Sequence, residues 1–240
     1  DQFTTYNEEN PFKDALNKSH ELMGLVKNPE KVKIENISIK SAEGFIDKID
    51  DRLSDIEDEI SKLNTQIQAL DADFNSLAPF KGLNYTLKGI YDMDFFKYRF
   101  GKIPKVNFDK FESYLDPDIN AIFITTLAAT EYVYGVFFAP NEYFEEVAKD
   151  FKNINFDEIA IAKKYKDFPD KECENILSQK EDLQKQVQAK EDSINDVIEE
   201  SKTKLVSAIR RIETAYSNFD VRKLSAVTRE SGVNFQVLCG

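Results

Sequence analysis

The stretch GFIDKIDDRLSDIEDEISKLNTQIQALDADFNSL (44–77) decides the fold of this chain. Its apolar residues recur at spacings of three and four without a break, and most residues between them are charged or polar. On a helix this spacing makes a narrow apolar seam, which a partner helix must cover. The stretch therefore predicts one helix of a coiled coil. The seam consists of Ile46, Ile49, Leu53, Ile56, Ile60, Leu63, Ile67, Leu70, Phe74 and Leu77.

A second apolar seam follows further along the chain, within 176–219. It is less regular, because Lys180, Lys190 and Ser201 fall on or near seam positions. Its spacing also slips in the middle, as a four-residue insertion would make it, and such a stutter locally unwinds a supercoil. We expect the helix pair to bend more easily at these lysines and at the stutter. The second seam consists of Ile176, Leu183, Val187, Ile194, Ile198, Leu205, Ala208, Ile212, Ala215 and Phe219.

The two stretches have similar lengths and the chain returns between them, which favours an antiparallel pair within one chain. Each helix, at roughly 40 residues, would be about 60 Å long. The alternative is that each helix pairs with a second copy of the chain in a dimer. The antiparallel pair predicts that the intervening segment, 79–169, forms a lobe at the tip of the two helices.

The middle lobe reads as strand, helix, hairpin, helix and strand, which is the split βαβ or ferredoxin-like order β-α-β-β-α-β. Asp116-Pro117-Asp118 is a turn, and a short polar connection at Thr130 predicts the hairpin. The chain is therefore expected to be an α+β protein. The predicted elements are strand 95–104, helix 107–115, strands 120–129 and 131–139, a helix opening at Pro140-Asn141, and strand 156–164.

The chain termini predict a second, partial α/β lobe. Asn10 and Pro11 make a good helix start, as N-cap and first helical residue. Residues 32–40 read either as a short strand or as an extended lead-in to the long helix, which Ser41 can cap, and 220–231 read as a short helix before a terminal strand at 234–240. The predicted division is 1–40 and 220–240 for the terminal lobe, 41–78 and 170–219 for the coiled coil, and 79–169 for the middle lobe.

Composition limits the classes of partner. The chain has 240 residues, of which 41% are hydrophobic and 32% charged, as in a soluble, foldable protein. The formal net charge of −12 argues against nucleic acid and anionic membranes, both of which select basic surfaces. Cys173 and Cys239 lack metal-ligand spacing and are expected to be reduced thiols in a cytoplasmic protein. No apolar run is long enough to span a bilayer, and both ends look cut, as in a soluble piece of a larger protein.

No residue pattern predicts a catalytic, metal or cofactor site. His20 is the only histidine and is expected at a helix surface. The acid clusters Asp47/Asp50/Asp51 and 55–59 are expected on the solvated outer face of the coiled coil. Two further sets leave alternatives open. The aromatic set is either an RNA-stacking platform or an ordinary core-and-face pattern, and comprises Phe95, Phe96, Tyr98, Phe100, Tyr132, Tyr134, Phe137 and Phe138. The basic set is either a local rim or ordinary protection of edge strands, and comprises Lys97, Arg99, Lys102, Lys163, Lys164 and Lys166.

Four segments carry a resemblance to a known family: EENPFKDAL (8–16), FFKYRFGKIP (95–104), YVYGVFFAPNEYFEEV (132–147) and VNFQVLCG (233–240). In this order, with a long heptad helix before the last, they resemble the soluble half of subunit I of bacterial and archaeal A/V-type ATPases, the equivalent of the eukaryotic V-ATPase subunit a. The residues that carry the motif in the middle lobe are Phe100, Gly101, Pro104, Tyr132, Gly135 and Pro140.

The resemblance implies a dumbbell, in which two α/β lobes are joined by an antiparallel coiled coil along the membrane surface. It implies that the distal lobe (83–168) grips peripheral-stalk subunits and that the proximal lobe lies near central-rotor or membrane-sector subunits. The parent protein would be integral to the membrane, and this part would lie on its cytoplasmic face. The family's proton-path arginine lies in the membrane domain, so a non-catalytic stator arm without cofactors is expected, with no binding surface assigned.

The alternative from another class is a hinge fragment of an SMC-like chromosome protein, where antiparallel coiled-coil arms also flank an inserted domain. Such hinges usually dimerise. The oligomeric state therefore separates the two hypotheses.

Overall fold

The computed structural model describes residues 9–114 and 120–236, and the side chains of 111–114 and 224–236 are outside that description. The protein combines long helices with one four-stranded antiparallel sheet. The predicted turn at 116–118, the end of the predicted helix at Leu115, and Cys239 lie outside the described residues.

The chain divides into two compact units. The first consists of Asp1–Lys62 and Val187–Gly240, and the second of Leu63–Gln186. The two longest helices, α2 (Ile39–Leu77) and α6 (Pro169–Gln236), each contribute residues to both units.

The first unit begins with helix α1 (Lys13–Leu25), followed by a 3₁₀ turn at Pro29–Lys31. The helix starts later than predicted: its N-cap is Phe12, so Asn10 is not the N-cap and Pro11 is not the first helical residue. The Asn10 side-chain oxygen accepts a hydrogen bond from the Phe12 N–H at 3.1 Å, and the Asn10 carbonyl accepts one from the Lys13 N–H at 3.1 Å. The side-chain amide of Asn10 also donates to the carbonyl of Tyr216 on α6 at 3.1 Å.

The lead-in to α2 is extended and forms no strand within the described residues 32–38. Helix α2 starts at Ile39, and the predicted cap at Ser41 is wrong. Ser38 is the cap, because its hydroxyl oxygen accepts the N–H of Ser41 at 3.2 Å, three residues into the helix. The lead-in is tied to α6 where the Glu35 N–H donates to the Ser207 hydroxyl at 2.8 Å.

The core of the first unit is built from three helices. Apolar residues of α1, of the first half of α2 and of α6 form one continuous cluster. Its fully or nearly fully buried members are Leu22, Val26, Ala42, Ile46, Ile49, Leu53, Val197, Ile198, Leu205, Val206, Ala208, Ile209 and Ile212.

The second unit contains the sheet. After α2 come a 3₁₀ turn (Ala78–Phe80) and helix α3 (Leu87–Tyr91), with Pro79 just beyond the end of α2 as predicted. The remaining elements are β1 (Phe96–Pro104), α4 (Lys105–Tyr114), β2 (Ile122–Ala128), β3 (Tyr132–Pro140), α5 (Phe144–Asn153) and β4 (Asp157–Glu158). The strands are ordered β2-β3-β1-β4, and every neighbouring pair is antiparallel.

The last strand is much shorter than predicted. The sequence favoured a strand over 156–164, but β4 has two residues, which pair with Gly101 and Lys102. Beyond it, Ile159 and Ile161 pack against the apolar cluster below the sheet, so the chain turns away from β1 instead of continuing the ladder.

Both faces of the sheet are covered. On one face, Ile103, Phe137 and Ala139 pack with residues of α5, and the rings of Phe137 and Phe151 stack with centroids 4.2 Å apart. On the other face, strand residues pack against the end of α2, α3 and the start of α6. The buried members of this second cluster are Leu77, Phe80, Leu83, Leu87, Ile90, Phe100, Val136, Phe138, Tyr165, Cys173 and Ile176.

Helix α6 corrects two predictions. The sequence suggested a helix to Phe219, a separate short helix over 220–231 and a terminal strand from Asn234, whereas α6 is continuous to Gln236. No proline follows Pro169 in the sequence, and a single Gly232 costs only about 1 kcal/mol in a helix. The β-branched residues near the end therefore do not stop it. Residues 237–240 lie outside the described part.

Candidate functional site: the helix seams and the edge of the sheet

The ten residues of the first predicted seam are all buried or half-buried. In the first unit Ile46, Ile49 and Leu53 are buried, and Ile56 and Ile60 are half-buried. In the second unit Leu77 is buried, and the other four seam residues are half-buried: Leu63, Ile67, Leu70 and Phe74. The residues between them are mostly exposed, and from 54 to 69 every residue outside the seam is exposed.

The residues of the second predicted seam are also buried or half-buried. In the second unit Ile176 is buried and Leu183 is half-buried. In the first unit the predicted residues become more buried along α6. Val187 and Ile194 are half-buried, Ile198, Leu205, Ala208, Ile212 and Ala215 are buried, and Phe219 is half-buried.

The two helices run antiparallel within each unit. In the first unit, the lead-in to α2 at Glu35 bonds to Ser207, whereas Glu59, further along α2, forms an ion pair with Lys190. In the second unit, Asp71 forms an ion pair with Lys180, and Gly82, just after α2, donates its N–H to the Asp170 carboxylate at 2.8 Å. As residue numbers increase along α2, the residues that it contacts on α6 have decreasing numbers, so the two helices are antiparallel within each unit.

The seam lysines are ion-paired. The Lys180 Nζ lies 2.6 Å from Asp71 Oδ1, with 27% of the lysine side chain exposed. The Lys190 ammonium contacts Glu59 on α2, and this hydrogen bond and charge hold the pKa of the Glu59 carboxyl below its usual range. Each lysine therefore fills a seam position with its stem and reaches an acid of the facing helix with its head.

A carboxylate on α2 anchors the loop that follows β4. Asp73 accepts hydrogen bonds from the Tyr165 hydroxyl at 2.6 Å and from the Lys164 Nζ at 2.6 Å. Burial raises the pKa of Asp73, but these two hydrogen bonds and the lysine charge outweigh it and leave the pKa below its ordinary value. The sequence carries no signal for this site, because Asp73 and Tyr165 lie 92 residues apart and no spacing predicts the contact.

The six motif residues of the middle lobe lie on the adjacent strands β1 and β3. Gly101 pairs with Gly135 across the ladder. A Cβ at Gly101 would come within 2.4 Å of the Asp157 carbonyl oxygen, and a Cβ at Gly135 within 2.3 Å of the Ile124 carbonyl oxygen. Both positions require glycine, since no real Cβ approaches so closely.

The other motif residues also belong to this ladder. Phe100 is buried, and its ring meets Phe80 edge-on with centroids 5.0 Å apart. Pro104 pairs with Tyr132, and Pro140 pairs with Phe96. The motif therefore describes how the central pair of strands packs, and none of its residues forms a polar site.

The aromatic set does not form a stacking platform. Phe100, Phe137 and Phe138 are buried in the two clusters that cover the sheet. Phe95 is 80% exposed, but it precedes the ladder and belongs to an apolar surface at the start of β1. The core-and-face reading of these aromatic residues is therefore the one the structure favours.

The basic residues of β1 lie near the sheet edge formed by β4, and two of them have acidic partners there. Arg99 Nε lies 3.0 Å from Glu158 Oε2, and Lys102 Nζ lies 3.6 Å from Asp157 Oδ2. Lys97 instead lies over the Phe144 ring, 5.4 Å from its centroid.

Beside this edge lies a groove of about 370 Å³ between β1 and 158–163. Lys163 reaches across it to the Tyr98 hydroxyl, with Nζ 3.8 Å from the centroid of the Tyr91 ring. The Tyr91 hydroxyl is buried without a hydrogen-bond partner in the described residues, and burial raises its pKa to about 12.

The acid clusters of α2 are largely solvent-exposed, as predicted. Asp47 and Asp50 share Lys18 of α1, at 2.8 Å and 3.2 Å, and hydrogen bonds to both raise the pKa of Lys18. His20 is exposed on α1. Among the described residues, no group of three or more potential ligand side chains is placed to hold a metal ion.

Within 9–114 and 120–236, none of the helices combines the length and apolar character needed to cross a bilayer.

Comparison with known proteins gives a match among the solved structures. No family model matches the chain, and no curated protein matches it. Among solved structures it is similar to the cytoplasmic N-terminal domain of subunit I, the homolog of subunit a, of V-ATPase. The match covers 87% of this chain and 70% of that chain, with a TM-score of 0.56 and 10% sequence identity. At this identity the likeness concerns the fold, and at that level it agrees with the family that the short motifs resemble.

Proposed function

We propose that this chain is a non-catalytic stator arm of a rotary A/V-type ATPase. It would be the cytoplasmic domain of a membrane subunit I and would link peripheral stalks to the proton- or sodium-translocating membrane sector. The observation that carries the proposal is the antiparallel packing of α2 on α6 in both units, in a chain whose fold is similar to the subunit I domain.

The seam between α2 and α6 supports a mechanical role. A stator must resist torque, and two helices packed along a seam resist bending more than one helix, because bending shears the packed interface. The half-buried seam residues of the two helices and the ion pairs Glu59–Lys190 and Asp71–Lys180 support this role. The coiled-coil description, the predicted domain boundaries and the dumbbell stay part of the proposal.

The division of partners between lobes is also proposed. We propose that the sheet-bearing lobe follows the ferredoxin-like plan, which its β-α-β-β-α-β chain order and β2-β3-β1-β4 strand order support, and that it contacts peripheral-stalk subunits. The part built from the chain termini would contact central-rotor or membrane-sector subunits. The parent protein would be integral to the membrane, with this domain on the cytoplasmic face.

A binding experiment tests the proposal. The chain is immobilised and mixed with purified peripheral-stalk subunits of an A/V-type ATPase at about 0.15 M salt, where surface charges more than about 8 Å apart are largely screened. We expect the stalk subunits to be retained, and an unrelated antiparallel coiled-coil protein to retain none. Failure of folded chain to retain any stalk subunit would contradict the stator role.

The fold likeness to the subunit I domain does not favour the SMC-like hinge. It predicts a dimer formed through the inserted lobe, whereas the stator arm predicts a monomer. Size-exclusion chromatography with light scattering measures the difference.

A further inference from the structure

We propose that the edge of β1 at 96–99 binds an extended segment of a partner protein by strand addition. The segment would alternate acidic and apolar residues. This inference does not depend on the stator role, since it follows from the backbone and charges of the sheet edge alone.

The backbone of this edge lacks a strand partner in the described part of the chain. β4 pairs only with Gly101 and Lys102, and the last bond between the two segments runs from the Ile159 N–H to the Phe100 carbonyl at 2.8 Å. Alternate residues of an antiparallel strand direct their N–H and C=O groups to the same side. Phe96 and Tyr98 therefore direct theirs to the same open edge as Phe100.

Among the described residues, only a weak hydrogen bond reaches these groups. The Arg99 guanidinium donates to the Tyr98 carbonyl at 3.3 Å, and this bond is solvent-exposed. An incoming strand replaces it with ladder hydrogen bonds. The groove of about 370 Å³ between β1 and 158–163 lies beside the edge, and an incoming strand displaces the Lys163 side chain, which otherwise reaches across the groove to the Tyr98 hydroxyl.

The side chains of β1 define the pattern of the segment. Lys97 and Arg99 lie on the face that carries Phe144, whereas Phe96 and Tyr98 lie on the opposite face. Directly opposed side chains on neighbouring strands interact, and opposite charges stabilise the pair. The segment therefore needs acids on the first face and apolar residues on the second.

The chain's own β4 already places an acid on the first face. Glu158 lies opposite Gly101 and forms an ion pair with Arg99, whereas Asp157 pairs with Lys102 on the second face. Lys97 is the next basic residue along the edge, and its described contact is the ring of Phe144. A segment that continues β4 toward the start of β1 would place an acid beside Lys97.

Exposed apolar surface lies at the same end of the strand. Phe95 is 80% exposed, Phe96 42% and Met93 37%. A strand laid along 96–99 covers part of this surface. The other edge of the sheet is a weaker candidate for an acidic segment, because β2 offers no basic side chain and has a register irregularity between Thr125 and Leu127, which disrupts pairing.

The test uses a synthetic peptide with blocked ends in which Glu and Val alternate over about ten residues, the length of a long strand. Binding to the full chain is measured by calorimetry, and the site by amide hydrogen exchange. We expect saturable binding and slower exchange at Phe96 and Tyr98. A Lys–Val peptide of the same length should bind at least about tenfold more weakly, a difference of about 1.4 kcal/mol.

Two variants and a control locate the contact. Phe96→Pro removes an edge-facing N–H at the first residue of the strand, where proline is tolerated, and should abolish binding, while Phe96→Val keeps the N–H and should bind within about threefold of the original chain. Lys97→Glu should weaken binding about tenfold. Circular dichroism checks that each variant is folded.

Several results would overturn the strand-addition proposal. Absence of binding by the folded chain, equal binding of the Glu and Lys peptides, or protection at β2 instead of β1 would overturn the proposal. So would a concentration-dependent dimer that Phe96→Pro abolishes, since the edge would then pair with a second copy of the chain.

Discussion

Gly101 and Gly135 show how single residues fix the central pair of strands. They face each other across the β1–β3 ladder, and the Phe156 and Phe123 rings occupy the space that their side chains would need, with ring atoms 2.4 Å and 2.6 Å from the Cβ positions. Backbone atoms lie equally close on the same side. The glycines therefore allow the aromatic core above the sheet to reach the strands.

Gly135→Ala should lower the free energy of unfolding by about 1–3 kcal/mol, because an added Cβ in a close-packed site forces its neighbours to shift. Gly44→Ala is the matched control. Gly44 lies in α2, a Cβ there meets no atom within 4 Å, and alanine favours a helix over glycine by about 0.5–1 kcal/mol. Urea unfolding measures both, and equal effects of the two substitutions would refute the packing argument.

Asp73→Asn tests the anchor of the loop after β4. Both donors, Tyr165 and Lys164, contact the same oxygen, Oδ2, and an amide oxygen can still accept their hydrogen bonds but lacks the negative charge that strengthens them, so we expect a loss of about 1 kcal/mol at pH 7. Because the pKa of Asp73 is lowered in the folded chain, its contribution is present above the unfolded-state pKa and is lost as pH falls through the folded-state value. The difference between the two proteins should therefore shrink below about pH 4.

The control for this variant is Asp58→Asn, which neutralises an exposed carboxylate in the middle of α2 and should change stability by less than about 0.5 kcal/mol. Tyr165→Phe removes one of the two hydrogen bonds, so its effect and that of Asp73→Asn should be less than additive in the double variant. Additive effects would show that the two residues do not act together.

At the scale of elements, the seam of α2 could be predicted residue by residue. Ten apolar positions in a strict three-four spacing leave one helix face to bury, and each of them is buried or half-buried. The return helix was less certain, because lysines interrupt its seam and only the structure shows their partners. The length of β4 could not be predicted, since it depends on where Ile159 and Ile161 pack.

Ile56→Asp together with Leu63→Asp should unfold much of the helix pair, because each places an unpaired charge at a half-buried seam position. The expected result is a marked loss of helicity by circular dichroism. Ser54→Asp with Asn64→Asp places the same charges at exposed positions of the same helix and should leave helicity unchanged. Unchanged helicity in the seam variant would refute the seam assignment.

Lys190→Leu should stabilise the chain. The Lys190–Glu59 pair lies near the surface, with about half of each side chain exposed, and such pairs contribute at most about 1 kcal/mol. A leucine at this position buries more apolar surface, so we expect a net gain of about 0.5–1 kcal/mol and a weaker dependence of stability on salt. A loss above about 1 kcal/mol in urea unfolding would mean that the ion pair itself holds the seam.

At the scale of the whole molecule, the proposed stator role requires that α2 pairs with α6 of the same chain. The antiparallel contacts within each unit and the fold likeness to the V-ATPase subunit I domain are the grounds for the stator role. The short sequence motifs pointed to the same family because they record the packing of β1 on β3. They could not indicate a binding surface, since none of their residues forms an exposed polar site.

Pulsed electron paramagnetic resonance measures the pairing most directly, with spin labels on cysteines introduced at Glu59 and Lys190, and with Cys239→Ser so that the buried Cys173 is the only native thiol. Helices packed about 8–10 Å apart between axes predict a single short distance, within about 25 Å, that persists when labelled chains are diluted tenfold with unlabelled ones. A short distance that disappears on dilution, or only long and broad distances, would contradict an antiparallel pair within one chain.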